Sequence, residues 1–349
     1  MNIEGRGVER GAGLQGELHG RCVIWITWED HRRSRELAAH LGVPLFAYVS
    51  QRPYPLRVVQ LTVRTLRLFV SVRPDLIVVQ NPSIVLTTLA CALRRALKYK
   101  VVVDRHSNFK QQELGNRSLK WRTFHFLSKY TVRAADVTIV TNETLSELVK
   151  SWGGRGFVLP DKIPTLSVCS GRSLADKPTI ALISSHAADE PLKEALQAAA
   201  LAEDLNFYIT GHPARTVAAF PDLLRDNVHL TGYLPEAEYQ SLLASADAVM
   251  TLTTAPNTLL CGAYEAVAMG KPLIISDQEA LTRYFYKGTV VAQNTPRSLA
   301  EAARRAVSER PRLSTEMRDL RGELSEFWAA RWDRFLETLR LLLQTGGHN

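Results

Sequence analysis

The chain has 349 residues, about twice the usual length of one domain, so two domains are the natural expectation. With 46% hydrophobic and 22% charged residues, 16 prolines and 20 glycines, a disordered, collagen-like or low-complexity protein is excluded. The net charge of +8 is unevenly placed: residues 1–165 hold 25 Lys and Arg against 13 Asp and Glu, or +12, and residues 166–349 hold 18 against 22, or −4. A first half this basic either attracts an anion (nucleic acid, an acidic membrane surface, a phosphorylated substrate) or serves solubility.

The first twenty residues contain Gly5, Gly7, Gly11, Gly13, Gly16 and Gly20 with charges between them and no apolar run. They read as a loose tail over residues 1–20, not a secretory signal. Residues Arg21 to Trp28 form a buried-strand pattern, followed by a helix from about Ser34 that stops at Gly42. A strand over Leu45 to Val49, a helix over Leu56 to Val72 and a strand over Leu76 to Val79 come next. Ser83 to Leu97 is a helix whose apolar run breaks at Arg94 and Arg95, too short to span a membrane. Strands at Val101 to Val103 and Val137 to Val140 flank a basic, aromatic helix over Ser118 to Ala135. This alternation predicts one doubly wound parallel unit.

A proline-rich stretch from Leu159 to Lys177 reads as the linker. The pattern then resumes, with strands at Thr179 to Ile183, Asn206 to Ile209, His229 to Leu230, Ala248 to Leu252, Pro272 to Ile275 and Thr289 to Val291. Helices such as Leu192 to Ala202 and Glu236 to Ala244 separate them, giving a second Rossmann-like unit. A last helix over Ser314 to Leu343 repeats Leu320, Leu324, Phe327, Trp328, Phe335, Leu339 and Leu342 at three- and four-residue spacing, so one face is buried. The expected division is a tail over 1–20, a first Rossmann-like domain over 21–165, a second over 166–313, and a helix over 314–349 that returns to the first domain. Ligands of such sheets bind at the carboxyl ends of the strands, so the site is expected between the domains.

Cys22, Cys91, Cys169 and Cys261 are scattered, with no CxxC spacing or adjacent histidines, so no zinc site is expected and a reducing cytoplasm is the simplest setting. The most specific segment runs from Ala255 to Asp277. Its pattern predicts a helix starting at Asn257 or Thr258, whose free amides, including that of Leu259, would face an anion such as a pyrophosphate. Glu265 follows within that helix, where a carboxylate can accept from two vicinal hydroxyls of a ribose.

Glu265-Ala-Val-Ala-Met-Gly-Lys-Pro resembles the donor segment of the GT-B nucleotide-sugar glycosyltransferases of group 1, or family 4. Thr210-Gly-His-Pro resembles their glycine turn, and Leu230-Thr-Gly-Tyr-Leu-Pro-Glu-Ala-Glu-Tyr with Ala246-Asp247 their Gly-Tyr and Ala-Asp segments. The resemblance covers the second half. It implies donor contacts by Glu265, Asn257, Thr258, Leu259, Ser184, Ser185, His186, Gly211, His212, Arg215 and Tyr233. The chain departs from the retaining branch at three positions. Asn257 replaces the first glutamate, and Ser185 and Glu190 stand where an Arg and a Lys neutralise the diphosphate. The phosphates would then rest on backbone amides and on His186, His212 or Arg215, or the chain is a divergent branch.

Val78-Val-Gln-Asn-Pro-Ser, Val103-Asp-Arg-His-Ser-Asn and the Ser184 to Glu190 segment resemble the β-mannosyltransferase that extends lipid-linked chitobiose, with an inserted Ser107 before Asn108. This implies acceptor contacts by Asn81 and Asn108 and a sugar-contacting or proton-moving role for His106, which is otherwise structural. In Trp28-Glu-Asp-His-Arg-Arg-Ser-Arg, Glu29 and Asp30 are either a general base or the solvated start of a helix, and Arg32, Arg33 and Arg35 could hold an acceptor phosphate. For an inverting reaction the candidate bases are Asp30, Glu29, Asp104 and His106; a retaining one needs no protein nucleophile.

Arg57, Arg64 and Arg67 share one helix face, and Arg117 to Arg133 interleaves cations with aromatics. Such stripes suit an anionic membrane or serve packing and solubility. The resulting expectation is a GT-B glycosyltransferase, peripheral on the inner face of the membrane, without metal or other cofactor. It would move a sugar from a UDP- or GDP-sugar to a hydroxyl of a glycan or polyprenyl-diphosphate-linked acceptor, in polysaccharide or glycoconjugate synthesis. A nucleic-acid partner is not expected, because no recognition motif is present. The alternatives are an epimerase or phosphorylase of the same fold, or a non-catalytic sugar-nucleotide-binding relative.

Overall fold

The computed structural model describes residues 20–81, 83–107, 109–166 and 177–344. Most of the expected tail, Asn108, Cys169 and the central part of the expected linker lie outside them. The described residues fall into two compact units, one of residues up to Pro160 together with those from Ala330 onward, the other of Asp161–Ala329.

In the first unit, β1 (Val23–Thr27), α1 (Arg32–Leu41), β2 (Leu45–Ala47), α2 (Tyr54–Val72), β3 (Leu76–Asn81), α3 (Ile84–Leu93) and β4 (Lys100–Arg105) follow in order. They continue with α4 (Leu119–Ala134), β5 (Val137–Val140), α5 (Glu143–Ser151) and β6 (Gly156–Val158). The strands pair in parallel in the order β2-β1-β3-β4-β5-β6. β1, β3 and β5 are buried throughout and rich in Val and Ile, as strands covered on both faces must be. Leu61, Leu68 and Phe69 of α2 and Leu86, Ala90 and Cys91 of α3 fill one core with alternate residues of β1, β3 and β4, and Tyr130 and Ala134 of α4 pack against it. Thus α2, α3 and α4 cover the same sheet face.

The second unit repeats the plan with β7 (Thr179–Leu182), α6 (Leu192–Leu201), β8 (Asn206–Thr210), α7 (Pro213–Ala219), β9 (Val228–Gly232) and α8 (Glu236–Ser245). β10 (Ala248–Thr251), α9 (Cys261–Met269), β11 (Leu273–Ser276), α10 (Glu279–Tyr284), β12 (Thr289–Ala292) and α11 (Pro296–Ser308) complete it. The parallel order is β12-β11-β10-β7-β8-β9, with a register shift between Ile209 and Thr210. The expected α/β class with two doubly wound sheets is therefore present. β6, α5 and α11 were not anticipated. α11 nevertheless carries a readable start, with Thr295 as N-cap accepting from the Ser298 amide and Pro296 in its first turn.

The last helix, α12 (Arg310–Gln344), contributes to both units. Met317, Leu320 and Leu324 enter the second unit's core. In the first unit Trp332 meets His40 edge-on at 4.7 Å, Phe335 lies 5.5 Å from Phe157, and Arg331 pairs with Glu143 at 2.7 Å. Phe327, expected on the buried face, is 39% exposed. The helix approaches Gly288 so closely that a Cβ there would lie 2.7 Å from the Leu313 carbonyl oxygen, and its φ of +65° is itself unfavourable for other residues. Gly288→Ala is expected to cost about 1–3 kcal/mol of stability, read as a lowered midpoint in denaturant unfolding.

Candidate functional site

All strands of the second sheet run the same way, so their carboxyl ends share one edge, and the chain reverses its winding there between β7 and β10. Such a switch point is where ligands of open α/β sheets bind. It gathers the loop Ile183–Pro191 after β7, the turn Gly211–His212 after β8, and the loop Leu252–Leu260 after β10.

The first loop is closed on a carboxylate of the chain itself. Glu190 accepts from the Ser184 hydroxyl at 2.6 Å, the Ser185 hydroxyl at 2.7 Å, the Ser185 amide at 3.0 Å and the His186 amide at 2.9 Å. Successive backbone N–H groups converging on one anion form a nest, and His186 takes φ +64° to complete it. Ser184, Ser185 and the His186 amide were expected to face a diphosphate; here Glu190 engages them. The Ser184 amide bonds Thr210 Oγ1 at 3.0 Å, and that hydroxyl donates back to the Ser184 carbonyl. Gly211, at φ +105°, lies so close that a Cβ would sit 2.7 Å from the Ser184 oxygen.

Asp189 holds the third loop. Its carboxylate accepts from Thr253 Oγ1 at 2.7 Å, and its carbonyl from the Thr254 amide at 2.7 Å. The helix expected to begin at Asn257 or Thr258 starts at Cys261, with Leu260 as N-cap. Asn257 instead occupies a left-handed turn at φ +56°, a conformation that Asn tolerates, and Thr258 Oγ1 bonds the Pro256 carbonyl at 3.3 Å. Leu259 packs towards the core. The helix amides nearest the switch point are therefore those from Cys261 onward, not those of Thr258 and Leu259. Gly262 lets α9 approach β7, since a Cβ there would meet Ile183 at 3.1 Å.

Glu265 lies in the second turn of α9 and is 8% exposed. Its Oε2 accepts from the Tyr239 hydroxyl of α8. Tyr239 stood inside a recognised segment but was assigned no role, because nothing local shows that α8 and α9 are neighbours. His212 packs edge-on against Tyr233 at 4.7 Å, with Tyr233 65% exposed, and Arg215 is exposed on α7.

In the first unit the winding reverses between β1 and β3, and the ends of β1, β3 and β4 lie side by side. Asp104 and Arg33, expected as a base and as an acceptor-phosphate ligand, form a buried ion pair. Arg33 Nε lies 3.0 and 3.1 Å from the two carboxylate oxygens, and the side chains are 2% and 0% exposed. Arg33 also donates to the Leu159 carbonyl at 2.8 Å. Both groups are thus structural partners, since each charge is held by the other. Arg32 pairs with Glu36 and Arg35 with Asp30, while Glu29 is exposed. Asn81, expected on the acceptor, is 1% exposed and turned towards Thr87.

His106 remains accessible, its side chain 17% exposed, with Nδ1 3.9 Å from Asp104 Oδ2. Its ring lies 4.6 Å from that of His31, a neighbour the sequence did not single out. His31 caps α1, its Nδ1 accepting from the Arg33 amide at 3.3 Å, which leaves the neutral ring's proton on Nε2. Behind His106, Arg105 is fully buried over the Phe109 ring at 3.9 Å, and burial pushes its guanidinium down to about 9. Among the described residues no cluster of three or more His, Cys, Asp or Glu side chains could hold a metal.

Removing one member of the buried pair leaves an uncompensated charge. Asp104→Leu is expected to lose about 3–5 kcal/mol of stability, and Arg33→Met/Asp104→Leu to recover most of it, as measured by urea unfolding. If Asp104→Leu unfolds like the parent, the pair is not the brace described.

The family model for Glycosyl transferases group 1 matches residues 177–309, and that for Glycosyltransferase Family 4 matches residues 18–163. No curated protein sequence matches the chain. Among solved structures, sucrose-phosphate synthase from Thermosynechococcus elongatus superposes with a TM-score of 0.76 at 14% identity, over 93% of this chain and 100% of that one. HepE of Anabaena, solved with UDP and glucose, gives 0.70 at 12% identity over 91% and 99%. A putative UDP-N-acetylglucosamine 2-epimerase from Listeria monocytogenes gives 0.59 at 13% over 85% and 91%. The superpositions share the fold, and the two family models divide the chain between them at the boundary of its two units: the chain is a group 1 glycosyltransferase of the GT-B type.

Proposed function

We propose that the protein transfers a sugar from a UDP-sugar to a hydroxyl of a glycan or lipid-linked acceptor. The observation that carries this reading is the switch-point edge of the second unit, where three loops and the start of α9, the helix that carries the buried Glu265, lie at the carboxyl ends of the strands. Glu265 holds the ribose hydroxyls and Tyr239 orients it. The diphosphate lies towards the amides that open α9, with His212 and Arg215 near the turn after β8. HepE of Anabaena, which shares the fold, was solved with UDP.

In the reaction the acceptor oxygen bonds to the anomeric carbon, the bond from that carbon to the diphosphate oxygen breaks, and UDP departs with the electron pair. Fixed amide dipoles stabilise the developing charge without a metal ion. His106 takes the acceptor proton. Of the candidate bases it combines accessibility with a ring held by neighbours, whereas Asp104 is committed to Arg33. Contact with an anionic membrane, which brings a lipid-linked acceptor to the enzyme, belongs to the same reading.

The shared fold with a putative epimerase supports a second reading, and product analysis separates the two. Transfer releases UDP and a glycoside only when acceptor is present, whereas epimerisation yields an isomeric UDP-sugar without one. UDP is expected to raise the unfolding temperature more than GDP, ADP or dTDP, with a stabilisation of about 2.7 kcal/mol at a hundred times Kd. Glu265→Gln is expected to weaken UDP binding by roughly tenfold or more, the loss of charge-assisted hydrogen bonds, and Tyr239→Phe by less. No stabilisation by UDP at millimolar concentration would overturn the donor assignment.

A further inference from the structure

We propose that the outer surface made by α2, α3 and α4 is an interfacial surface that inserts apolar side chains into an anionic lipid bilayer. Leu61, Thr65, Leu68 and Phe69 are buried and fix the inner face of α2. On the opposite side Leu56 is 58% exposed, Val59 62%, Val63 40% and Val70 59%. Steps of three, four and seven residues return to the same side of a helix, so these side chains form one line on the solvent face. Leu66, half-buried, fills the gap in it, and Tyr54 stands exposed at its start. Valines are poor choices for a solvated helix face, and a row of them costs free energy in water that burial in a bilayer recovers.

Beside this line runs a row of exposed cations, Arg57, Arg64 and Arg67. From Ser50 to Pro74 there are five arginines and no acidic residue. α4 repeats the arrangement, with Leu119 78% exposed and Phe126 71% exposed among Lys120, Arg122, Lys129 and Arg133, and again no acidic residue in the helix. α3 lies between the two, packs against both and has no charged residue. An apolar line edged by cations on a helix is the composition of a segment that lies in the plane of a membrane interface. The absence of acids across both helices suits the negative surface of anionic lipids. No described helix is long and apolar enough to cross a membrane, so the contact is with one leaflet.

The inference deepens the membrane contact of the proposed function by naming the surface that makes it. Its test reads lipid binding alone and is independent of nucleotide binding. The full chain is sedimented with vesicles of phosphatidylcholine and with vesicles that also contain phosphatidylglycerol, at low salt and at about 1 M salt, where the Debye length is about 3 Å. Binding is expected only with the anionic vesicles, and a fraction is expected to persist at high salt because side chains are inserted. Val59→Glu/Val63→Glu, at exposed positions, is expected to leave the unfolding temperature unchanged and to lower partitioning by roughly tenfold or more. Arg57→Gln/Arg64→Gln/Arg67→Gln is expected to lower it at low salt by roughly fivefold per charge. The inference is overturned if Val59→Glu/Val63→Glu sediments like the parent, or if high salt removes all binding. It is equally overturned if the parent is a dimer that these substitutions dissociate, which would assign the face to a second copy.

Discussion

The Glu190 carboxylate is the interaction on which the geometry of the second unit's carboxyl edge depends. Four donors from Ser184, Ser185 and His186 converge on it, and without an anion there the left-handed turn at His186 would lose the bonds that hold it. Asp189, next in the chain, fastens the loop after β10 through Thr253 and Thr254. Two adjacent acids thus tie together the loops on either side of the switch point. A cation at position 190 would leave the nest empty, which gives a structural reason for a glutamate where the family resemblance led us to look for a lysine.

In the first unit a buried charge does similar work. Arg33, at the start of α1, reaches Asp104 on β4 and the Leu159 carbonyl beyond β6, linking three segments far apart in the sequence. A buried pair of this kind adds little net stability but makes every alternative arrangement costly, because either charge alone would be stranded. It also leaves His106 and His31 as the accessible pair at that edge.

Much of the fold was legible because strands buried on both faces are short apolar runs rich in Val, Ile and Leu, and β3, β5 and β11 are such runs. α9 was placed too early because Asn257 and Thr258 are capping residue types, and in this loop Asn257 serves a turn instead. The 71-residue separation of Arg33 from Asp104 hid their pairing, so one was read as a phosphate ligand and the other as a candidate base. The arginine row of α2 was visible in the sequence. The apolar row beside it was not, because Leu and Val at helical spacing read as core until burial shows which face is turned inward.

The central claim is that nucleotide binding is confined to the switch-point edge of the second unit. Amide hydrogen exchange with and without UDP tests it most directly. The account predicts slowed exchange in the segments spanning Gly211–Arg215 and Cys261–Glu265, with the sheet of the first unit unchanged. Unchanged exchange in both segments, or protection limited to the first unit, would contradict it.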